Sequence, residues 1–112
     1  GMDIFYTFTK NNTMENYKAI LFSPQGDFVT DFERETKEEV WEEVNDMGSR
    51  WIFYPIIFVA TDKTIVDTPD GLEHLKNKRI GTVMQYIQDR WEQEKDYISE
   101  ALNEGVPIEL IY

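Results

Sequence analysis

The sequence contains no cysteine in its 112 residues. Disulfides, thiolate metal sites and cysteine nucleophiles are therefore excluded, and stability has to come from packing. A chain without disulfides suits a reducing compartment, so we predict a cytoplasmic location. The longest apolar run, residues 51–60, is far shorter than the ~20 residues that a membrane-spanning helix requires. We therefore predict no membrane segment.

Basic residues are scarce. Lysine and arginine number 11 against 22 aspartates and glutamates, and the formal net charge is −11. Proteins that bind nucleic acid through its phosphates depend on lysine and arginine to release counterions. Direct nucleic-acid binding is therefore not expected. The excess of carboxylates favours solubility and can steer the protein toward basic partners.

The length is that of a single domain, and no linker, repeat or low-complexity segment interrupts it. Gly1 precedes Met2 and is interpreted as the remnant of an expression tag. The N-terminal residues do not have the basic and then apolar order of a secretion signal, so none is expected. We predict one compact domain over residues 2–112.

Alternation of apolar and polar residues indicates strands. The predicted strands are residues 3–10, 17–23, 27–32, 51–60, 64–67 and 106–112. A turn at residues 23–26 joins the second and third strands, because proline and glycine occupy positions that suit a type I turn. Pro55 has no N–H to donate, so its strand is expected to be at an edge or to carry a bulge there.

Helical spacing of apolar residues indicates three helices. The Thr36–Glu39 pair has capping-box spacing and starts a helix over residues 37–47. Thr68 and Pro69 start a short helix, and the Thr82–Gln85 pair starts a helix of about 22 residues. The predicted fold class is α+β, with element order βββαββααβ. An antiparallel or mixed sheet of about six strands packs with one long C-terminal helix and one or two shorter helices.

Aromatic residues make up 14% of the chain, and a domain of this size has a small core in which to bury them. Some aromatic side chains are therefore expected at an interface. The first functional hypothesis is therefore a non-enzymatic role in which the protein binds a protein partner or itself, for example as a homodimer. The predicted interaction residues are Trp51, Phe53, Tyr54 and Trp91.

The acidic helix supports an alternative. Its carboxylates could imitate nucleic-acid phosphates and inhibit a DNA-binding protein, although a solvated helix face is the favoured explanation. The residues of this acidic surface are Glu38, Glu39, Glu42, Glu43 and Asp46.

The stretch TIVDTPDGLEHL, residues 64–75, supports another alternative, a metal-assisted hydrolase or ligand site. Asp67, Asp70 and His74 offer oxygen and nitrogen ligands for a divalent metal. All of these residues except His74 are also explained as a strand end followed by the start of a helix. No nucleophilic triad or glycine-rich phosphate loop is present, so an enzyme is the less favoured class and no cofactor is predicted.

Overall fold

The computed structural model describes residues 15–23, 25–30, 32–47, 54–106 and 108–111. Over these residues the protein is α+β, with an antiparallel sheet of five strands, a short helix and a long C-terminal helix. The predicted fold class is confirmed. The first predicted strand, residues 3–10, lies outside the described residues.

The sheet is built around two central strands. Its strands are β1 Tyr17–Phe22, β2 Phe28–Val29, β3 Glu33–Arg34, β4 Ile56–Val59 and β5 Ile65–Asp67. The order across the sheet is β2, β1, β4, β5, and β3 also pairs with β1. Leu21 faces Val29 whereas Tyr17 faces Arg34, so the register changes by one residue between β2 and β3. β2 and β3 thus both pair antiparallel with β1, in registers that differ by one residue.

The turn between β1 and β2 forms where proline and glycine predicted it. The backbone N–H of Gly26 donates to the carbonyl oxygen of Ser23 at 2.9 Å, and Ser23 N–H donates to Asp27 at 2.8 Å. Gly26 has φ +96°, a conformation that glycine adopts without steric cost. Local chemistry is therefore sufficient to close this hairpin.

Pro55 was predicted to place its strand at an edge or to cause a bulge. The strand is not at an edge. β4 begins at Ile56, directly after the proline, and pairs with β1 on one side and β5 on the other. The missing N–H of Pro55 thus lies just outside the ladder. A register shift does occur in β4, but between Ile57 and Phe58 rather than at Pro55.

The first helix, α1, spans Lys37–Asp46 and confirms the predicted capping box. Thr36 Oγ1 accepts from the backbone N–H of Glu39 at 3.1 Å, and Glu39 Oε1 accepts from the backbone N–H of Thr36 at 3.2 Å. Val40 and Val44 are buried, and the helix packs against β1 and β3.

The long helix, α2, spans Ile80–Asn103 and begins before its predicted cap. Thr82 lies in the first turn, where its hydroxyl donates to the carbonyl oxygen of Arg79 at 2.7 Å. Gln85 donates instead to Asp89 at 3.1 Å, so the predicted capping box at Thr82 is wrong. The buried side of α2 consists of Ile80, Ile87, Trp91, Ile98 and Leu102. Among the described helices, none is long and apolar enough for a membrane span.

The chain end after α2 is not the predicted closing strand. Gly105 has φ +90°, its N–H donates to Leu102, and the N–H of Val106 donates to Ala101 at 3.1 Å. This pair of bonds is a Schellman motif, which turns the chain sharply at the helix end. Residues Ile108–Leu110 then form a 3₁₀ helix, with Ile108 buried. Ile111 is partly buried against the same core, whereas Leu110 is exposed.

Candidate functional site

The predicted aromatic interaction residues fall into two groups. Trp51 and Phe53 lie outside the described residues. Tyr54 and Trp91 are 0% and 1% exposed, and their ring centroids are 5.6 Å apart. Trp91 also stacks on Phe22 at 5.7 Å. Tyr54 and Trp91 are thus core residues of this chain, and Trp91 packs α2 against Tyr54 and Phe22.

The predicted metal ligands are not brought together. The carboxylate of Asp67 accepts from Trp41 Nε1 at 2.9 Å and from the backbone N–H of Thr68 at 3.2 Å. Asp70 and His74 are exposed, and His74 lies edge-to-face with Tyr86 at 5.5 Å between ring centroids. Within the described ranges, no three histidine, aspartate or glutamate side chains are grouped so that they could hold a metal ion.

The stretch containing these residues has a structural role. The chain makes a turn at Pro69–Leu72 and a 3₁₀ helix at Glu73–Leu75, so Thr68 is not the predicted helix cap. Its hydroxyl is buried and has no hydrogen-bond partner in the described part of the chain. The segment then pairs with the outer edge of β5, where Ile65 N–H donates to Lys78 and Asn77 N–H donates to Ile65, both at 2.9 Å. It therefore covers an edge strand that would otherwise expose unpaired backbone groups.

The acidic residues of α1 have different surroundings. Glu39 is used by the capping box, and Glu43 forms an ion pair with Arg34 at 2.8 Å. Glu38, Glu42 and Asp46 are exposed at four-residue spacing, and α1 has no basic residue in its last turn. Like charges four residues apart disfavour a helix, as do carboxylates at its C-terminus. Glu38 lies in the first turn, where the helix dipole favours a carboxylate, so helix stability fails to explain only Glu42 and Asp46. We call Glu38, Glu42 and Asp46 the α1 acidic row.

A polar cluster on α2 lies beside the loop after β5. Arg90 donates from Nη1 to the Tyr86 hydroxyl at 3.3 Å and from Nη2 to the carboxylate of Glu94. The hydrogen bond to Glu94 raises the pKa of Arg90, so the guanidinium stays charged. Burial, and then the charge of Glu94, raises the pKa of the Tyr54 hydroxyl and keeps it protonated. Gly71 lies against Arg90, because a Cβ there would be 3.1 Å from Nη2.

The outer side of α2 carries an exposed face that the sequence interpretation missed. Tyr86 and Tyr97 are 41% and 67% exposed. They are eleven residues apart, which is about three helical turns, so they lie on the same side roughly 16 Å apart. Arg90 and Gln93 fall between them on that side. We call these four residues the tyrosine face. The i, i+4, i+7, i+11 spacing of these residues in the sequence is typical of one helix face, next to the apolar stripe that indicated the helix.

Three exposed carboxylates run beside the tyrosine face, those of Asp89, Asp96 and Glu100. We call them the α2 acidic margin. Two cations of α2 are engaged elsewhere, because Arg90 pairs with Glu94 and Lys95 pairs with Glu92 at 3.2 Å. Over the described residues, no cation pairs with the α2 acidic margin.

The fold and these surfaces define an acidic α+β domain with an exposed aromatic face on its longest helix. No protein-family model, curated protein or solved structure matches the chain.

Proposed function

We propose that this protein acts by binding another protein through the tyrosine face of α2. The observation that carries the proposal is the exposure of Tyr86 and Tyr97 on one side of a 24-residue helix. Tyrosine and arginine are the residue types enriched at the centres of protein interfaces. A tyrosine ring supplies a large contact area at a small cost in side-chain entropy.

The tyrosine face is held in position by the packing of α2 and by contacts of Tyr86. The adjacent side of α2 is buried through Ile87, Trp91 and Ile98, so the helix is held against the core. Tyr86 is itself held by its bond from Arg90 and by the edge of the His74 ring. A side chain that is already positioned loses less entropy when a partner binds. These contacts support a surface that is ready to bind.

The test compares the full chain with its Y86A/Y97A variant as affinity baits in an extract of cells that express the protein. A bound partner is expected on the unaltered chain and not on the double variant. The L110A variant is the control, because Leu110 is 74% exposed and lies outside the tyrosine face. Circular dichroism checks that each bait is folded. Equal capture by the double variant, or no partner on the unaltered chain, would refute the proposal.

A second candidate function is inhibition of a DNA-binding protein by charge imitation. The α1 acidic row favours it, because its three carboxylates are exposed and successive ones are separated by the same rise of roughly 6 Å along the helix. Regularly spaced negative charge is what a phosphate-binding surface recognises. This function uses α1, so it is separable from binding at α2.

A further inference from the structure

The charges beside the tyrosine face indicate the chemistry of its partner. The α2 acidic margin runs along the face. Asp96 is seven residues after Asp89 and Glu100 is four residues after Asp96, so their rises along the helix are roughly 10 Å and 6 Å. All three are exposed, and no cation of the described chain pairs with them. The margin therefore offers three uncompensated negative charges along the length of the face.

The exposed rings add a second attraction for cations. A guanidinium or ammonium group within about 6 Å of an aromatic ring centroid is attracted by the ring's quadrupole. The chain already contains one such contact, because the Arg34 guanidinium lies 5.4 Å from the centroid of the Phe32 ring. The Tyr97 ring is 67% exposed and lies beside Asp96 and Glu100 on α2. A cation placed between them meets a carboxylate and an aromatic ring together.

From this arrangement we infer that the tyrosine face binds a cationic segment of a partner protein, with arginine or lysine side chains aligned along α2. The inference rests on the proposed function and specifies its partner. A second copy of this chain is a poor occupant, because it brings the same acidic margin and a net charge of −11. Nucleic acid is repelled for the same reason.

The probe is a synthetic amphipathic helical peptide of about 18 residues, long enough to span the face. Its polar side carries arginine and lysine, and a second peptide has glutamine at those positions. Binding to the full chain is measured by fluorescence anisotropy at about 50 and 200 mM salt, because screening weakens exposed charge pairs. The cationic peptide is expected to bind, more weakly at the higher salt, and the glutamine peptide to bind much less.

Two charge variants locate the binding site. The D89N/D96N/E100Q variant is expected to weaken binding of the cationic peptide about tenfold, since three exposed ion pairs are lost. The E38Q/E42Q/D46N variant changes the net charge equally but on α1, so it is expected to have less than about a twofold effect if the site is local. Equal losses in the two variants would show attraction by overall charge alone and would overturn the inference.

Two tyrosine variants test the contribution of the ring. Y97A is expected to weaken the cationic peptide about threefold, whereas Y97F keeps the ring and the affinity. Equal binding of the glutamine peptide, no binding of the cationic peptide, or a dimer that Y86A/Y97A abolishes in sedimentation would each overturn the inference. If partner capture still requires Tyr86 and Tyr97 in those cases, the proposed function stands and only the partner chemistry is wrong. If the Y86A/Y97A variant captures the partner as well as the unaltered chain does, the proposed function fails as well.

Discussion

At the scale of single residues, Gly71 and Gly105 have nearly the same backbone conformation in very different surroundings. Their φ angles are +91° and +90°. A Cβ at Gly71 would lie 3.1 Å from Arg90 Nη2, whereas a Cβ at Gly105 would have no heavy atom within 4 Å. The pair therefore separates the cost of the conformation from the cost of the contact. The contact matters because Arg90 also holds Tyr86 in the tyrosine face.

We predict that G105A lowers the free energy of unfolding by about 1 kcal/mol, which is the strain of a side chain at positive φ. G71A is expected to lower it by more, because the new methyl group also displaces the Arg90 guanidinium. Urea denaturation of both variants measures the difference. An equal loss in the two variants would mean that the Arg90 side chain moves aside without cost.

At the scale of secondary structure, two threonines with the same spacing signal have different roles. Thr36 caps α1, with both bonds of the capping box formed. Thr82 lies inside α2, where its hydroxyl donates to the carbonyl oxygen of Arg79. The difference arises because the buried contact of Ile80 and its N–H bond to Lys63 extend α2 upstream of Thr82.

We predict that T36A costs about 1 kcal/mol of stability, since two backbone bonds at the start of α1 depend on that hydroxyl and its partner Glu39. T82A is expected to cost less than about 0.5 kcal/mol, because the substituted site is exposed within a formed helix. Thermal and urea unfolding of the two variants provide the comparison. A larger loss for T82A would contradict the assignment of the helix start.

At the scale of the whole molecule, the charge of −11 is concentrated on separate helices. The α1 acidic row and the α2 acidic margin each contribute three exposed carboxylates. The other helix carboxylates with assigned partners are Glu39 at the cap, Glu43 with Arg34, Glu94 with Arg90 and Glu92 with Lys95. The two acidic surfaces can therefore be altered independently with equal changes in net charge.

For the second candidate function, we predict that the chain displaces a fluorescent DNA duplex from a lysine-rich DNA-binding domain. The E38Q/E42Q/D46N variant is expected to lose this displacement, because the α1 acidic row supplies the competing charges. The D89N/D96N/E100Q variant is the control of equal charge and is expected to keep it. Loss in both variants, or displacement by neither the unaltered chain nor its variants, would exclude a specific role for α1.

Features that depend on neighbouring residues were predictable from the sequence. The Thr36–Glu39 capping box and the turn at residues 23–26 both formed as predicted. Each involves groups no more than four residues apart, so the local backbone conformation alone brings them into contact. The α+β class followed as well, because strand and helix periodicities are local properties.

Features that depend on distant contacts were decided by the tertiary structure. Asp67 accepts from Trp41, 26 residues away, and thereby joins β5 to α1. Tyr54 and Trp91 are buried against each other, whereas Tyr86 and Tyr97 stay exposed. The sequence alone determined the α+β class, the capping box at Thr36 and the acidic charge. Which aromatic rings are buried and which carboxylates remain unpaired was decided only when packing placed distant segments side by side, since burial is a property of neighbours in space.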